Sequence, residues 1–180
     1  MREITTRESI LHALADSRES VTRFYSSMPA EQFVRPLVDG SWSPADNLDH
    51  LINSVKPIAL MMKLSPAKRE ARFGKATLAS RSYDQICAIY QRALANGGQA
   101  SGSFIPDQVE AVNVPAEFQT AQVAAWVQTA QALEENTVQW SEAELDRYTL
   151  PHPLLGDLTM REMLCFTLYH NQRHISDGGD

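Results

Sequence analysis

Apolar side chains recur every three or four residues along most of this 180-residue chain, which is the spacing of one face of an α-helix. The first such stretch covers residues 5–28 and ends before Pro29, which helps to terminate a helix. This pattern predicts a long amphipathic first helix that buries one face against other helices. Its apolar stripe consists of Leu11, Leu14, Val21, Tyr25 and Met28.

A second helix is predicted to begin sharply within the stretch SWSPADNLDHL, residues 41–51. Ser43 suits the N-cap and Pro44 the first helical position, and the carboxylate of Asp46 interacts favourably with the positive end of the helix. Pro57 lies inside the pattern and predicts a kink. The apolar stripe consists of Leu48, Leu51, Val55, Ile58 and Met62.

Two connecting segments flank a shorter helix in the middle of the chain. Residues 65–81 are polar and predict a loop or crossover, which includes the most basic stretch, AKREARFGK. Ser82 and Gln85 form a capping-box pattern at the start of the shorter helix, which ends at Gly97 and Gly98. Residues 97–116 contain Gly, Ser and two prolines, and they predict a long ordered loop.

Two more amphipathic stretches complete the chain, a helix predicted over residues 117–140 and a last helix over residues 157–176. We find no β-hairpin signal and no internal repeat. Long amphipathic helices joined in this way pack as a bundle. The sequence therefore predicts an all-α protein, a four-helix bundle with an additional short helix and long connecting loops, in a single domain over residues 1–180.

The composition argues against several classes of protein. The formal net charge is -6 and the pI is about 5.3, whereas nucleic-acid binders need basic patches that neutralise phosphates. No apolar run reaches the roughly 18 residues that span a bilayer, and the first residues lack the apolar core of a signal peptide. We therefore expect a cytoplasmic protein with no nucleic-acid or membrane partner. Cys87 and Cys165 are far apart in sequence, which predicts neither a disulfide framework nor a zinc ribbon.

Two histidines, His170 and His174, stand four residues apart on the predicted last helix. At about 100° per residue both share a face with Met163 and Thr167, so they continue the stripe that faces the core, whereas Arg161 and Glu162 lie on the other side. Buried imidazoles are costly unless each ring nitrogen finds a partner. A bound metal ion would satisfy both rings, and so would a buried carboxylate or backbone carbonyl. The pair alone leaves a metal site and ordinary core histidines equally open.

His50 on the second helix is the third candidate, on a polar face beside the apolar stripe. Such a face is more often exposed to solvent, but in a bundle it can form the polar wall of a pocket opposite the other two histidines. Three histidines from two helices, with an open position, form the arrangement of catalytic zinc sites. Asp46 and Asn47 lie close enough in sequence to orient a histidine ring, although helix capping is the stronger interpretation for Asp46.

Two known types of metal site do not match. Asn171 stands where an H-E-x-x-H zinc protease has its general-base glutamate, and the Glu-x-x-His pairs of a di-iron bundle do not occur in the expected places. No residue stands out as the catalytic acid or base.

The two histidine-bearing stretches resemble the DinB/YfiT-like family of small bacterial helical-bundle proteins. That family has a tryptophan shortly before a helix with one histidine, as in SWSPADNLDHL. It also has a His-Pro-x-x-Gly stretch before a last helix with H-x-x-x-H, as in HPLLGDLTMREMLCFTLYHNQRHI, residues 152–175. The resemblance implies a DinB-like four-helix bundle, often a homodimer, in which His50, His170 and His174 hold a divalent metal ion, zinc or nickel. For His152 it implies a structural role in a loop, with a fourth metal ligand as the weaker alternative.

The resemblance also bears on function. Related proteins include S-transferases that use the thiols bacillithiol or mycothiol, and others are presumed to be metal-dependent hydrolases. The sequence therefore suggests a metal-dependent enzyme that activates a small thiol or water and acts on a small-molecule substrate. Two alternatives stay open, a non-catalytic stress-related protein that binds a metal or small ligand, and a structural bundle in which the histidines only pack.

Overall fold

The computed structural model describes residues 4–36, 38, 40–107 and 112–176. These residues form eight α-helices, a short 3-10 turn at Gly102–Phe104 and one small sheet. The strands β1 (Gly74–Lys75), β2 (Tyr148–His152) and β3 (Gly156–Thr159) pair antiparallel in that order. The helices are α1 (Arg7–Ser27), α2 (Ala30–Phe33), α3 (Pro44–Met62), α4 (Pro66–Arg72), α5 (Tyr83–Ala95), α6 (Pro115–Thr137), α7 (Glu142–Arg147) and α8 (Met160–Ser176).

Four long helices make the bundle, as the sequence predicted. Helix α6 packs along α1 and α3, while α8 packs against α1 and α3, and the shorter α5 covers α8 from outside. The predicted stripes supply most of the core, whose largest fully buried side chains come from all four long helices. They include Ile10, Tyr25, Leu48, Leu51, Met62, Trp126, Leu133 and Leu164.

Four helices begin with reciprocal capping boxes, in which the N-cap side chain accepts from the third helical amide and the third side chain accepts in return. The N-cap predicted at Ser43 and the capping box predicted at Ser82 are both present. Each cap fixes where a helix begins and so which residues face the core. The pairs are Thr6 with Ser9, Ser43 with Asp46, Ser82 with Gln85, and Ser141 with Glu144.

The expectation of no β-hairpin was wrong. Strands β2 and β3 form a hairpin in which His152 pairs with Gly156 across a three-residue turn. Gly156 has φ +72°, the left-handed conformation that such a turn requires and that glycine adopts without strain. The last helix consequently starts at Met160 rather than at residue 157. The strands escaped notice because they are short and one contains Pro151, which usually argues against a strand.

The segment 65–81 is also more ordered than predicted, since it contains α4 and β1. Its basic stretch does not form a solvated linker throughout. Arg69 is only 3% exposed, pairs with Glu144 at 2.8 Å and places its guanidinium 4.0 Å from the ring centre of Trp140. This cation therefore joins α4 to the C-terminal part of the bundle.

One further helix boundary differs from the prediction. The helix predicted over residues 117–140 spans Pro115–Thr137 and is followed by the separate α7. Helix α3 runs without interruption through Pro57. Both cysteines are free thiols, with Cys165 buried and Cys87 half-buried. Within the described ranges, no helix combines the length and the apolar character that crossing a membrane would need.

Candidate metal centre

The N-terminal part of α3 places His50 in the interior. The carboxylate of Asp46 accepts hydrogen bonds from the amide and the hydroxyl of Ser43 at 2.8 and 2.7 Å, which fixes the first turn. His50 follows one turn later and is 6% exposed. Asp46 therefore acts as a helix cap, the stronger of the two interpretations that the sequence allowed.

Helix α8 brings the other two histidines to the same place. His170 and His174 are 4% and 5% exposed, and their ring centres lie 4.7 Å apart, one helical turn along the axis. The ring of His50 lies 4.9 Å from that of His170 and 5.0 Å from that of His174. One nitrogen of each ring lies within 4.8 Å of the other two. The three histidines singled out from the sequence therefore converge.

The protonation state of His50 follows from its partner on the loop before α6. Its Nδ1 lies 2.6 Å from the backbone carbonyl of Phe104. A carbonyl oxygen only accepts hydrogen bonds, so Nδ1 carries the proton and the neutral ring presents the Nε2 lone pair. That Nε2 faces His170 Nε2 at 3.0 Å. Without a metal, the contact can be a hydrogen bond in which His170 donates.

His174 is oriented in the same way by Asn47. Its Nδ1 lies 3.0 Å from Asn47 Oδ1, while the amide nitrogen of Asn47 donates to the Ser43 carbonyl at 3.1 Å. The hydrogen bond to Ser43 identifies the nitrogen of the Asn47 amide, so the other amide atom is the oxygen. Nδ1 of His174 is therefore the donor, and its Nε2 carries the lone pair. Handing the other ring proton to a carbonyl oxygen is the usual support of a metal-binding histidine.

The surroundings keep all three imidazoles neutral. Burial lowers the pKa of His174 to about 3, and burial together with the neighbouring imidazoles lowers the pKa of His170 well below its ordinary value. Burial also lowers the pKa of His50, although the Phe104 carbonyl opposes the shift by favouring the protonated form. Neutral imidazoles are the form that coordinates a cation, so burial favours metal binding near neutral pH.

Aromatic rings brace the cluster. Phe166, one turn before His170, stacks on it with ring centres 5.2 Å apart. Trp42, from the motif before α3, lies 5.1 Å from the ring of His50, and Tyr90 of α5 lies 6.1 Å from His170. These contacts restrict rotation of the imidazoles. Trp42 and Phe166 lie in the two stretches that the sequence had singled out, whereas Tyr90 lies outside both.

His152 lies beside the cluster and has a different role. Its Nδ1 accepts hydrogen bonds from the amides of Leu154 and Leu155, both at 3.2 Å, and so closes the turn of the hairpin. Its ring packs on Phe166 with centres 4.3 Å apart. This geometry agrees with the structural loop role that the resemblance implied. The same burial lowers the pKa of His152 to about 4.

A cavity of about 250 Å³ opens against two of the three histidines. His50 and His170 line it together with residues of α3, α5, the 99–104 loop and the β2–β3 hairpin. The cluster thus has three neutral nitrogen donors and an open side. This donor set fits a divalent transition metal such as zinc or nickel.

Comparison with known proteins agrees with the fold. No curated protein and no solved structure matches the chain. The sequence model of the DinB superfamily matches residues 13–177, which include all three clustered histidines and the bundle from the second turn of α1 onward. The chain belongs to the DinB superfamily.

Proposed function

We propose that this protein binds one divalent metal ion through His50, His170 and His174 and is a metal-dependent enzyme that activates a small thiol or water. The observation that carries the proposal is the orientation of two of the imidazoles. His50 and His174 each give the Nδ1 proton to a carbonyl oxygen, which leaves the Nε2 lone pairs directed into the cluster.

A divalent cation held by three neutral imidazoles keeps its full charge and lowers the pKa of a bound water or thiol, which supplies a nucleophile at neutral pH. The chain contributes the arrangement around it. Phe104 and Asn47 set the tautomers of two rings, and Phe166 and Tyr90 pack against the third. The cavity brings a second molecule against His50 and His170.

Of the two reactions, thiol transfer is preferred on the family resemblance. In that reaction the sulfur–hydrogen bond breaks and the proton leaves to solvent. The electron pair of the sulfur then forms a bond to an electrophilic carbon, whose leaving group departs with its bonding pair. If water replaced the thiol as the nucleophile, the same sequence of bond changes would be a hydrolysis. The zinc or nickel identity of the metal also rests on the resemblance.

Metal analysis of protein purified without a His tag tests the binding step. We expect about one equivalent of zinc or nickel per chain, and metal-free protein that takes up neither ion would contradict the proposal. A screen of the metal-loaded protein with low-molecular-weight thiols and model electrophiles then tests turnover. Thiol consumption that depends on the metal and on His170 is the expected result.

A second candidate function is metal or small-ligand binding without turnover. One observation favours it, because the described residues that line the cavity include no Asp, Glu or Lys to act as a general base. The thiol and electrophile screen separates this candidate from the enzyme. Metal uptake without any metal-dependent reaction would favour the binding protein.

We also propose, on the resemblance alone, that the protein is a cytoplasmic homodimer. Sedimentation measurements over a range of concentrations test the oligomeric state. A monomer whose mass does not change with concentration would contradict the dimer.

A further inference from the structure

The walls of the cavity beside the histidine cluster are apolar. Ile58 and Met61 of α3, Leu94 of α5 and Phe104 of the loop contribute side chains, together with Leu150 and Leu154 of the hairpin. In the part of the chain that the structure describes, the lining includes no Asp, Glu, Lys or Arg. A ligand in this cavity would therefore exchange water mainly for carbon surface.

The polar groups of the lining include the side chains of Ser54, Gln99 and Ser101 and the imidazoles of His50 and His170. Arg173 lies nearby on α8, but it hydrogen-bonds the hydroxyl of Tyr90 and is not among the lining residues. A buried carboxylate or phosphate on the ligand would thus lie in apolar surroundings along the walls, at a high desolvation cost.

The volume sets the size of the occupant. A buried apolar cavity of about 150 Å³ accommodates one benzene ring, so about 250 Å³ suits a molecule of about ten non-hydrogen atoms. Aromatic and methionine side chains around such a space favour a flat ring, because ring edges and sulfur atoms contact ring faces well.

We infer that this cavity binds a small, uncharged aromatic molecule of about ten non-hydrogen atoms, with its one polar group turned toward His50 and His170. The inference rests on the proposed function, because it assigns the cavity to the molecule that the activated thiol or water attacks. It also assigns different places to the thiol and to the molecule that the thiol attacks. A thiol that carries carboxylates must keep them outside the apolar walls.

Benzamide and benzoate test the inference, because they have the same shape and differ in charge. Both are titrated into the full chain, as purified and after chelator treatment, and followed by ligand-observed NMR, since dissociation constants of about 1 mM are expected for ligands of this size. Benzoate can coordinate a metal, so the chelated sample decides the comparison. We expect benzamide to bind at least about tenfold more tightly than benzoate there.

Two neighbouring substitutions on α3 locate the binding. Met61 lines the cavity, whereas Leu60 is 56% exposed and lies outside it. We expect Met61→Trp to fill the cavity and abolish benzamide binding, and Leu60→Trp to leave it unchanged. Benzoate binding as tightly as benzamide, or benzamide binding equally well to both variants, would overturn the inference. Metal content measured on the same samples tests the proposed function separately.

Discussion

The two ends of helix α8 carry buried polar side chains that find their partners in different ways. At the N-terminal end, Arg161 and Glu162 are 9% and 3% exposed, although the helical phase had placed them away from the core. Arg161 pairs with Asp146 and Glu142, and Glu162 pairs with Arg81 at 2.7 Å. Each charge there meets an opposite charge, because α7 supplies the partners of Arg161 and the segment before α5 supplies the partner of Glu162.

At the C-terminal end, His170 and His174 are just as buried, but their hydrogen-bond partners are a neutral imidazole and a neutral amide. Together with His50 they form a cluster in which two of the three rings direct an Nε2 lone pair inward. The difference teaches how to separate structure from function in one helix. A polar cluster that satisfies itself stabilises the fold, whereas a cluster of converging acceptors needs a cation from outside.

The largest expected effect is loss of metal when a ligand is removed. His170→Ala or His174→Ala leaves two imidazoles, which do not hold the ion against solvent, so metal content should fall below about a tenth of an equivalent. Metal analysis of untagged protein measures this. His12→Ala is the control, because His12 lies exposed on α1, and it should retain full metal content. A His170→Ala variant that keeps its metal would contradict the claim that the C-terminal end of α8 binds the ion.

A substitution at the ion-paired end of α8 should change the stability of the fold and leave metal binding intact. Glu162 accepts hydrogen bonds from Arg81 and from the Thr159 amide, so Glu162→Gln should lower the free energy of unfolding by about 2–3 kcal/mol. Urea unfolding measures the change, and metal content should stay at the wild-type level. The control is Glu8→Gln, whose side chain is 88% exposed, with a change within about 0.5 kcal/mol. Loss of metal from folded Glu162→Gln protein would contradict the separation between the ion-paired end of α8 and the metal-binding end.

Asn47 tests whether orientation of the imidazole matters. Asn47→Ala removes the acceptor of the His174 Nδ1 proton, so the affinity for zinc should fall about 10- to 100-fold while binding remains detectable. Calorimetric titration of zinc into chelated protein measures the affinity. Asn53→Ala is matched to it on the same helix, since Asn53 bonds Asp49 instead of a histidine, and its affinity should equal that of the wild type. Equal affinities for both variants would show that Asn47 orients nothing.

The smallest effect concerns His152 and pH. Its folded pKa of about 4 lies below the ordinary value of about 6.5, so the unfolded chain takes up a proton between these values that the folded chain does not. Stability should therefore fall as the pH drops through this window. In chelated protein, the loss from about pH 7.5 to about pH 5 should be smaller in His152→Gln, by on the order of 1 kcal/mol. Equal losses in both proteins would contradict this shift.

The carboxylate of Asp146, at the ion-paired end of α8, titrates at a lower pH than this window. Hydrogen bonds from Arg161 hold the pKa of Asp146 below its ordinary value. The stability that this carboxylate contributes is present above about pH 4 and is lost as the pH falls further. This ion pair therefore contributes little to the change in stability between about pH 7.5 and about pH 5.

The histidine cluster could be predicted because its position depends on local rules. The cap at Ser43 fixes the phase of α3, and the i, i+4 spacing of His170 and His174 fixes their shared face. The bundle followed from the apolar period in the same way. The carbonyl of Phe104 could not be predicted, because it is a backbone atom 54 residues from His50 on a loop without periodic signal.

The burial of Arg161 and Glu162 was missed for a related reason. Helical phase predicts which side of α8 faces the bundle, but not that α7 and a short hairpin cover the opposite side. The hairpin depends on a glycine turn and two strands too short for a clear alternation of apolar and polar residues. Tertiary contacts of this kind leave no periodic trace in the sequence.

X-ray absorption spectroscopy of the zinc-loaded, untagged protein tests most directly the claim that three imidazoles gather around one cation. The spectrum reports the type, number and distance of the atoms bound to the metal. We predict three imidazole nitrogens at about 2.0–2.1 Å, with the remaining position taken by a light atom from solvent. A spectrum dominated by sulfur, or by oxygen with at most one imidazole, would contradict the assignment of His50, His170 and His174 as the ligands.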